Sequence, residues 1–342
     1  AIVAAMSIGV GIVGLGFGHV VHLPAFHALP NVRLVGVASA TEGSARRVTR
    51  SYRLPVHFTN WKQLVECPEI HAVSIATPPA LHRDIALAAF QAGKAVLCEK
   101  PLALNSQQAL TMLTAGRKSG RVHMVGFEFR EIPAWKLAKQ IIESGELGQI
   151  LLANVNWIIH SWADPDRPWS WRAERRQGGG VLSGWGVHCF DYLEWLIAPV
   201  RALTAHLSVH VRERRDSGGQ MRRVTGEDVG SVLMELQDGT PVHLSLSSVV
   251  GSGKGHYIEI YGERKTLVFG SNNLIDYGRD YEVYIGEKDK TRMRRISVPP
   301  AMRFKKRFSD GRIAPFHRLA ERFIDAVQTR SSSPSPSFNE GY

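Results

Sequence analysis

The chain runs from the apolar stretch Ile8–Val13 into Gly14-Leu15-Gly16-Phe17-Gly18, and from there into a helix-forming segment. This order of strand, glycine turn and helix constrains the fold more than any other feature. Glycines at 14 and 16 permit a tight turn and a close backbone approach, and the N-terminus of the following helix offers unpaired N–H groups to an anion. Such a turn cradles a phosphate when it opens a unit of alternating strands and helices. Taken alone, it also admits a structural turn that holds nothing.

The first third of the chain repeats the alternation. A helix is expected from about Leu23 to Leu29, and Val32–Ala38 reads as a second strand. Ala72–Ala76 reads as a third and stops at Thr77-Pro78-Pro79, which cannot continue a central strand. Ala80–Ala92 has helical apolar spacing and ends at Gly93. Ala95–Cys98 is a further buried strand, Asn105 caps a helix with Gln108 as its capping-box partner, and Val122–Phe127 closes the series. The pattern predicts an α/β domain with a Rossmann-type, doubly wound parallel sheet.

After about Phe129 the character changes. Pro133–Ser144 reads as a helix, followed by the turn Gly145-Glu146-Leu147-Gly148. Leu203–Val211 alternates strictly between apolar and polar residues, which predicts a half-buried strand. Val229–Leu236 and Val242–Val249 flank Asp238-Gly239, a hairpin signal, and Tyr257–Tyr261, Thr266–Phe269 and Tyr281–Ile285 continue the meander. A final helix places Phe316, Leu319, Ala320, Phe323, Ile324 and Val327 on one face, and Ser331–Ser337 is a Ser/Pro loop. The second domain is therefore expected to be α+β, with a large, mostly antiparallel open sheet coated by helices on one face. Its uncovered face predicts a homodimer or homotetramer assembled through that sheet.

A chain of 342 residues is too long for one ordinary core. The expected division is a dinucleotide-binding domain at 7–129, a substrate and oligomerisation domain at 130–312, and a C-terminal helix and tail at 313–342 that pack back on the body.

Charge narrows the function classes. The formal net charge is +11 and the isoelectric point about 9.8. The basic residues fall in bursts, such as Arg212, Arg214 and Arg215 or Lys305, Lys306 and Arg307, rather than along one helix. No helix-turn-helix or zinc-finger spacing accompanies them, so no nucleic-acid partner is expected. A weaker reading is attraction of an anionic ligand, such as a phosphorylated or nucleotide-linked sugar. Hydrophobic residues make up 44% and no apolar run reaches spanning length, so no membrane partner is expected. Ile2–Val13 lacks a basic leading segment and reads as a leader plus the first strand, with Met6 as the natural start. Cys67, Cys98 and Cys189 are scattered and odd in number, which fits neither a disulfide framework nor a metal site and points to a reducing, cytoplasmic setting.

The chemistry enters at Glu99-Lys100-Pro101, at the end of the strand Ala95–Cys98. A lysine beside a carboxylate at a buried strand end is costly to keep unless it has a task.

The segment Ala76-Thr77-Pro78-Pro79-Ala80-Leu81-His82, followed by Glu99-Lys100-Pro101, resembles the hallmark pair of the glucose–fructose oxidoreductase / inositol dehydrogenase / MocA (Gfo/Idh/MocA) family. Gly126-Phe127-Glu128-Phe129-Arg130 resembles that family's crossing between domains. Ile142-Glu143-Ser144-Gly145-Glu146-Leu147-Gly148 and Trp171-Arg172 with Gly178-Gly179-Gly180 also match. The resemblance spans Ile8 to about Gly341. It implies an NAD(P)-dependent oxidoreductase moving hydride between nicotinamide and a sugar-like carbonyl/alcohol substrate, and a further helix beyond Tyr342. It places Glu99 and Lys100 near the nicotinamide ribose, with Lys100 reaching the substrate oxygen. The turn of Gly14, Gly16, Phe17 and Gly18 would hold the pyrophosphate. Thr77, Pro78 and His82 would line the cofactor channel, and Trp171 and Arg172 would approach it from the second domain. Outside the motif, His82 would read as a helix-start histidine with no ligand.

Three departures stand out. The third glycine position of the fingerprint is His19. The end of the second strand carries Ser39 where an NAD-binding protein usually offers a carboxylate to the ribose. Serine would not repel a 2′-phosphate and Arg46 and Arg47 follow, so NADP is favoured over NAD, the opposing reading being that both arginines simply face solvent. The family's paired Asp and His, four residues apart, are here Gly184 and His188. That substitution removes the carboxylate that would orient a proton carrier and frees space, leaving Lys100 as the main acid/base with His188 in support. The stretch Asn156–Trp171 contains Trp157, Trp162, Trp169 and Trp171, which suits a sugar ring or, equally, a packed loop. Two other classes compete: a cofactor-binding regulatory protein without turnover, and a redox-assisted glycosidase or lyase.

Overall fold

The computed structural model describes residues 7–164, 166–273, 280–288, 290 and 292–342; Met6 lies outside the described residues. The chain divides into two compact units, Ala1–Glu128 with Arg312–Tyr342, and Phe129–Gly311.

In the first unit β1 (Ile8–Val13) leads through the glycine turn into a π-helical turn, Gly18–His22, and then α1 (Leu23–His27). Next come β2 (Val32–Ala38), α2 (Glu42–Tyr52), β3 (Val56–Phe58), α3 (Trp61–Glu66) and β4 (Ala72–Ile75). α4 (His82–Gln91), β5 (Ala95–Cys98), α5 (Ser106–Ser119) and β6 (His123–Val125) complete the alternation. The strands form one parallel sheet in the order β3-β2-β1-β4-β5-β6, the doubly wound arrangement expected. β4 and β5 are buried at every residue, as strands covered on both faces must be. The helix expected after the glycine turn begins at Leu23 as read and ends at His27; the π-helical turn precedes it, and Gly18 in that turn packs where a Cβ would lie 3.2 Å from Ala76 and Ile12. Asn105 caps α5 by accepting from the Gln108 N–H at 3.0 Å, while the Gln108 side chain reaches back to the N–H of Leu104.

The second unit contains α6 (Pro133–Glu143), β7 (Ile150–Ile158), α7 (Val187–Leu196), β8 (Val200–Ser208), β9 (Glu213–Arg215) and β10 (Met221–Arg223). β11 (Val229–Leu236), β12 (Pro241–Ser247), β13 (Gly255–Gly262), β14 (Lys265–Ser271), β15 (Glu282–Glu287) and β16 (Arg294–Ile296) follow. Eight strands make one sheet, β16-β15-β14-β13-β7-β12-β11-β8, antiparallel except for β7 beside β12. β9 and β10 form a separate hairpin. The core contains Trp135, Ile141, Tyr192 and Leu193 from α6 and α7 together with Val155, Leu244, Ile258 and Phe269 from the sheet. β8 departs from the expected half-burial: it is the last strand, α6 packs on β14 and β15 at the other side of the sheet, and Leu203 is 54% exposed.

The chain then returns to the first unit with α8 (Ile313–Thr329) and α9 (Phe338–Gly341). α8 buries Phe316, Leu319, Ala320, Phe323 and Ile324, and it packs on α1, β1 and β5. The Ser/Pro segment is tied to the free edge of β6: Val125 N–H donates to Pro336 O at 3.0 Å, and His123 N–H donates to Ser333 Oγ at 3.0 Å. Phe338 is wholly buried with its ring 5.0 Å from that of His123. The tail therefore closes a strand edge that would otherwise be open to pairing.

Candidate active site

The strand register of the first unit determines what can meet at the sheet's carboxyl end. Val13 pairs with Ala38 and Ile75, Ile75 with Cys98, and Cys98 with Val125. The next residue of each strand is therefore Gly14, Ser39, Ala76, Glu99 and Gly126, in one row across five strands. In doubly wound sheets ligands bind at this end, where the strand order reverses, here between β1 and β4.

The glycines divide into two kinds. Gly14 has φ +95°, and a Cβ there would stand 2.5 Å from Ala76 O and 2.8 Å from Thr77 N, so this position demands glycine on both counts. A Cβ at Gly16 would meet nothing within 4 Å, which leaves room above the turn. Phe17 is half-buried, edge-on to His22 at 5.7 Å. Thr77 Oγ1 is buried and has no hydrogen-bond partner among the described residues. An open glycine backbone beside an unused hydroxyl fits a dinucleotide phosphate.

Ser39 is half-buried, its N–H donating to Phe58 O at 3.1 Å. Arg46 and Arg47 are both exposed, and Arg46 pairs with Glu42 at 3.1 Å, as does His57. The hydrogen bonds from His57 and Arg46 hold the Glu42 carboxyl below its usual range.

Pro78 precedes the single turn Pro79–Leu81 and is half-buried. His82 lies differently from the channel-lining role the motif implied. Its ring is fully buried, with Nδ1 3.0 Å from Pro101 O and Nε2 2.9 Å from Thr77 O. It joins the Thr-Pro-Pro loop to the Glu-Lys-Pro turn through their backbones. Burial pushes this imidazole down from its ordinary value, against the opposing pull of the two carbonyls and of Glu99.

Glu99 is buried at the end of β5. Its Oε1 lies 3.1 Å from His22 Nε2, and its Oε2 accepts from the Lys100 N–H at 3.2 Å. A Cβ at Gly126 would lie 2.8 Å from Glu99 Oε1, so only glycine leaves the carboxylate its place. Burial alone would raise Glu99; the His22 hydrogen bond and the charges of His22, Lys100 and His82 outweigh it and hold the carboxyl below its ordinary value. Lys100 itself is half-buried.

The second unit carries the remaining candidates. Leu182–Gly186 is a π-helical turn that runs into α7. Gly184 and His188 therefore do not hold the α-helical i, i+4 register expected of them, since a π turn winds wider. A Cβ at Gly184 would meet nothing within 4 Å, so the space a carboxylate would use is open. His188 is buried, its ring edge-on to Phe129 at 4.7 Å. The turn is anchored by Glu227, which accepts from the Leu182 N–H at 3.0 Å, and Gly180, with φ +106°, leaves room for that carboxylate. Trp171 is half-exposed with the Arg172 guanidinium 4.5 Å from its ring centre, and Arg172 O accepts from the Gly180 N–H at 3.0 Å. Arg214 is buried and donates to Asp164 O at 2.7 Å, to Arg167 O at 3.1 Å and to Trp162 O, pinning the tryptophan loop.

Two family models match this architecture in turn: an oxidoreductase family with an NAD-binding Rossmann fold over residues 8–127, and the GFO/IDH/MocA C-terminal domain over residues 135–268. The chain belongs to the Gfo/Idh/MocA oxidoreductase family. An uncharacterised oxidoreductase of Synechocystis sp. is 35% identical over 98% of this chain and 90% of its own length. Levoglucosan dehydrogenase of Pseudarthrobacter phenanthrenivorans is 31% identical over 98% of this chain and 93% of its own. A solved structure of levoglucosan dehydrogenase in complex with NADH and L-sorbose superposes with a TM-score of 0.87 at 28% identity, covering 98% of this chain and 93% of that one.

Within the family frame, the sequence pointed to Glu99 and Lys100 but not to the partners that hold them. His22 sits in an apolar helical stretch, Val20-Val21-His22-Leu23, and nothing local marks its role; only the pairing of β1, β4 and β5 brings it to Ser74 and Glu99. Glu227 was likewise unmarked, Arg214 stood only in a basic burst and Gly126 only in the segment after the last strand, although a Gly-Gly-Gly run in front of a helix is a signal that something bulky must pass close by.

Proposed function

We propose that this protein is an NAD(P)-dependent dehydrogenase or reductase acting on a CH–OH group of a sugar-like substrate, with Lys100 as the proton carrier. The row Gly14, Ser39, Ala76, Glu99, Gly126, with Lys100 next after Glu99, carries this reading. The named relatives that act on levoglucosan and inositol support the substrate class. When bound, a nicotinamide dinucleotide supplies or accepts the hydride. The chain does the rest. Gly14, Gly16, Phe17 and Gly18 form the phosphate turn, with Thr77 Oγ1 as a donor beside it. In reduction the Lys100 ammonium donates its proton to the substrate carbonyl oxygen; in oxidation the neutral amine takes the hydroxyl proton. Glu99 orients the lysine; His188 is the supporting acid/base in this reading, and Trp171 and Arg172 are cofactor contacts.

Ser39 in place of a carboxylate, with Arg46 and Arg47 nearby, favours NADP over NAD. The half-exposed outer face of the large sheet, with Leu233 55% exposed, suits a homodimer or homotetramer. No helix among the described residues is long and apolar enough to cross a membrane, and the free thiols of Cys67, Cys98 and Cys189 suit a reducing setting such as the cytoplasm.

The test is a fluorescence titration of the purified protein with NADPH and NADH, followed by turnover on a panel of sugars and polyols. Tighter binding of NADPH and a loss of about 10²–10⁴ in kcat for Lys100→Ala are expected. Unaltered turnover in that variant would refute the lysine's role, and a clear preference for NADH would overturn the NADP assignment.

A further inference from the structure

Ser74, His22 and Glu99 form a hydrogen-bonded line inside the first unit. His22 Nδ1 lies 2.8 Å from Ser74 Oγ, and Nε2 lies 3.1 Å from Glu99 Oε1. The residue types match a hydrolytic triad, but Ser74 and His22 are both fully buried, so no substrate reaches the hydroxyl. The line must act inward. Its far end is Glu99 Oε2, which accepts from the backbone of Lys100 at 3.2 Å.

The arrangement fixes the ring. A carboxylate oxygen only accepts, so Nε2 carries the proton of that bond. Phe316 from α8 stacks on the imidazole at 4.0 Å and 22°, and Phe17 meets its edge. The ring cannot rotate away without unpacking α8. On the other side, Gly126 leaves Glu99 room in this one orientation.

We propose that His22 is a positioning residue for the reactive lysine: its Nε2–H holds the Glu99 carboxylate ionised and turned toward Lys100, and so sets the proton affinity of the Glu99–Lys100 pair. The charged and titratable groups around the carboxylate are His22 from the π turn, Lys100 beside it, His82 from α4 and the buried Cys98 thiol of β5. β4 contributes the neutral Ser74 and α8 the Phe316 ring, and Gly126 after β6 lies against the carboxylate oxygen. Of these, His22 donates a side-chain hydrogen bond to Glu99. This inference rests on the reading of Lys100 as the proton carrier, but its test does not depend on turnover.

The experiment is an infrared pH titration of the NADPH-bound full chain. The Glu99 carboxyl band is assigned by its loss in Glu99→Gln. In His22→Phe, which keeps the ring stacking and removes the donor, the Glu99 midpoint should rise by about one pH unit or more. His22→Gln, whose amide retains a donor, should restore at least half of that shift. Ser74→Ala, which frees the ring to lose its tautomer, should move the midpoint in the same direction by a smaller amount and serves if His22→Phe does not fold. A midpoint equal to wild type in the folded His22→Phe protein, or in Ser74→Ala, would overturn the proposal. A shifted midpoint combined with full activity in Lys100→Ala would keep the His22–Glu99 coupling and sink the lysine's catalytic role instead.

Discussion

The Nδ1 atom of His82 stands 3.0 Å from the carbonyl oxygen of Pro101, and the same ring reaches back to Thr77. One buried imidazole thus fixes the spacing of the two loops that the site depends on. The buried, neutral ring carries one N–H and donates to one of these carbonyls, so His82→Leu strands that oxygen, at about 1–3 kcal/mol. A loss of about 1–3 kcal/mol in urea unfolding is expected, together with weaker NADPH binding. A variant that unfolds and binds like wild type would show that the clamp is dispensable.

The two glycine kinds separate folding from binding. Gly14→Ala forces a side chain into a left-handed backbone and against Ala76 O, so it should lower stability by about 2 kcal/mol or more. Gly16→Ala places its methyl in open space. It should melt at the wild-type temperature and yet lose about tenfold in dinucleotide affinity by fluorescence titration, because the methyl occupies the approach to the turn. Equal melting temperatures for both variants would contradict this division.

Gly184→Asp supplies the carboxylate that the resemblance leads one to expect at this position. The open space at this position predicts a stability change within about 1 kcal/mol. With a carboxylate one helical turn before His188, kcat for alcohol oxidation should rise by about tenfold. Steady-state rates on the best polyol of the panel, with and without the substitution, decide it; an unchanged or lower kcat would show that the π turn aims position 184 elsewhere.

His256 lies in the core of the second unit, stacked on Trp157 at 4.0 Å, with its nitrogens bonded to the hydroxyls of Tyr192 and Tyr281. Burial lowers its pKa from 6.5 to about 3. The unfolded chain therefore binds more protons here than the folded one between these values. Stability from this group is complete above about pH 6.5 and declines as the pH falls, by at most about 1.4 kcal/mol per unit. Unfolding free energies from urea titrations at pH 7.5 and pH 5 should differ more for wild type than for His256→Gln, by up to about 2 kcal/mol. Parallel losses in the two proteins would place the acid sensitivity elsewhere.

The parallel sheet was legible because strands covered on both faces are short apolar runs bounded by glycine or proline, as with Ile8–Val13 and Ala95–Cys98. β3, α2 and α3 were not. β3 is three half-buried residues, and α2 buries only Ala45 and Val48, too little for a periodic stripe. Alternation marked Leu203–Val211 as strand, of which Leu203–Ser208 falls in β8, but said nothing about its place in the sheet, and an edge position exposes what a central one would bury. In the site, Glu99-Lys100-Pro101 spoke for itself as a local motif. His22 did not, because its partner is 77 residues away and the two meet only through strand register.

The first unit is discontinuous in sequence, and its last pieces are α8 and the strap along β6. During synthesis the sheet is made long before residues 312–342 leave the ribosome. Until they do, His22 has no Phe316 ring against it, the hollow beside α1 lies bare and β6 presents an unguarded border. The dinucleotide-binding half is thus complete only once residues 312–342 have been made.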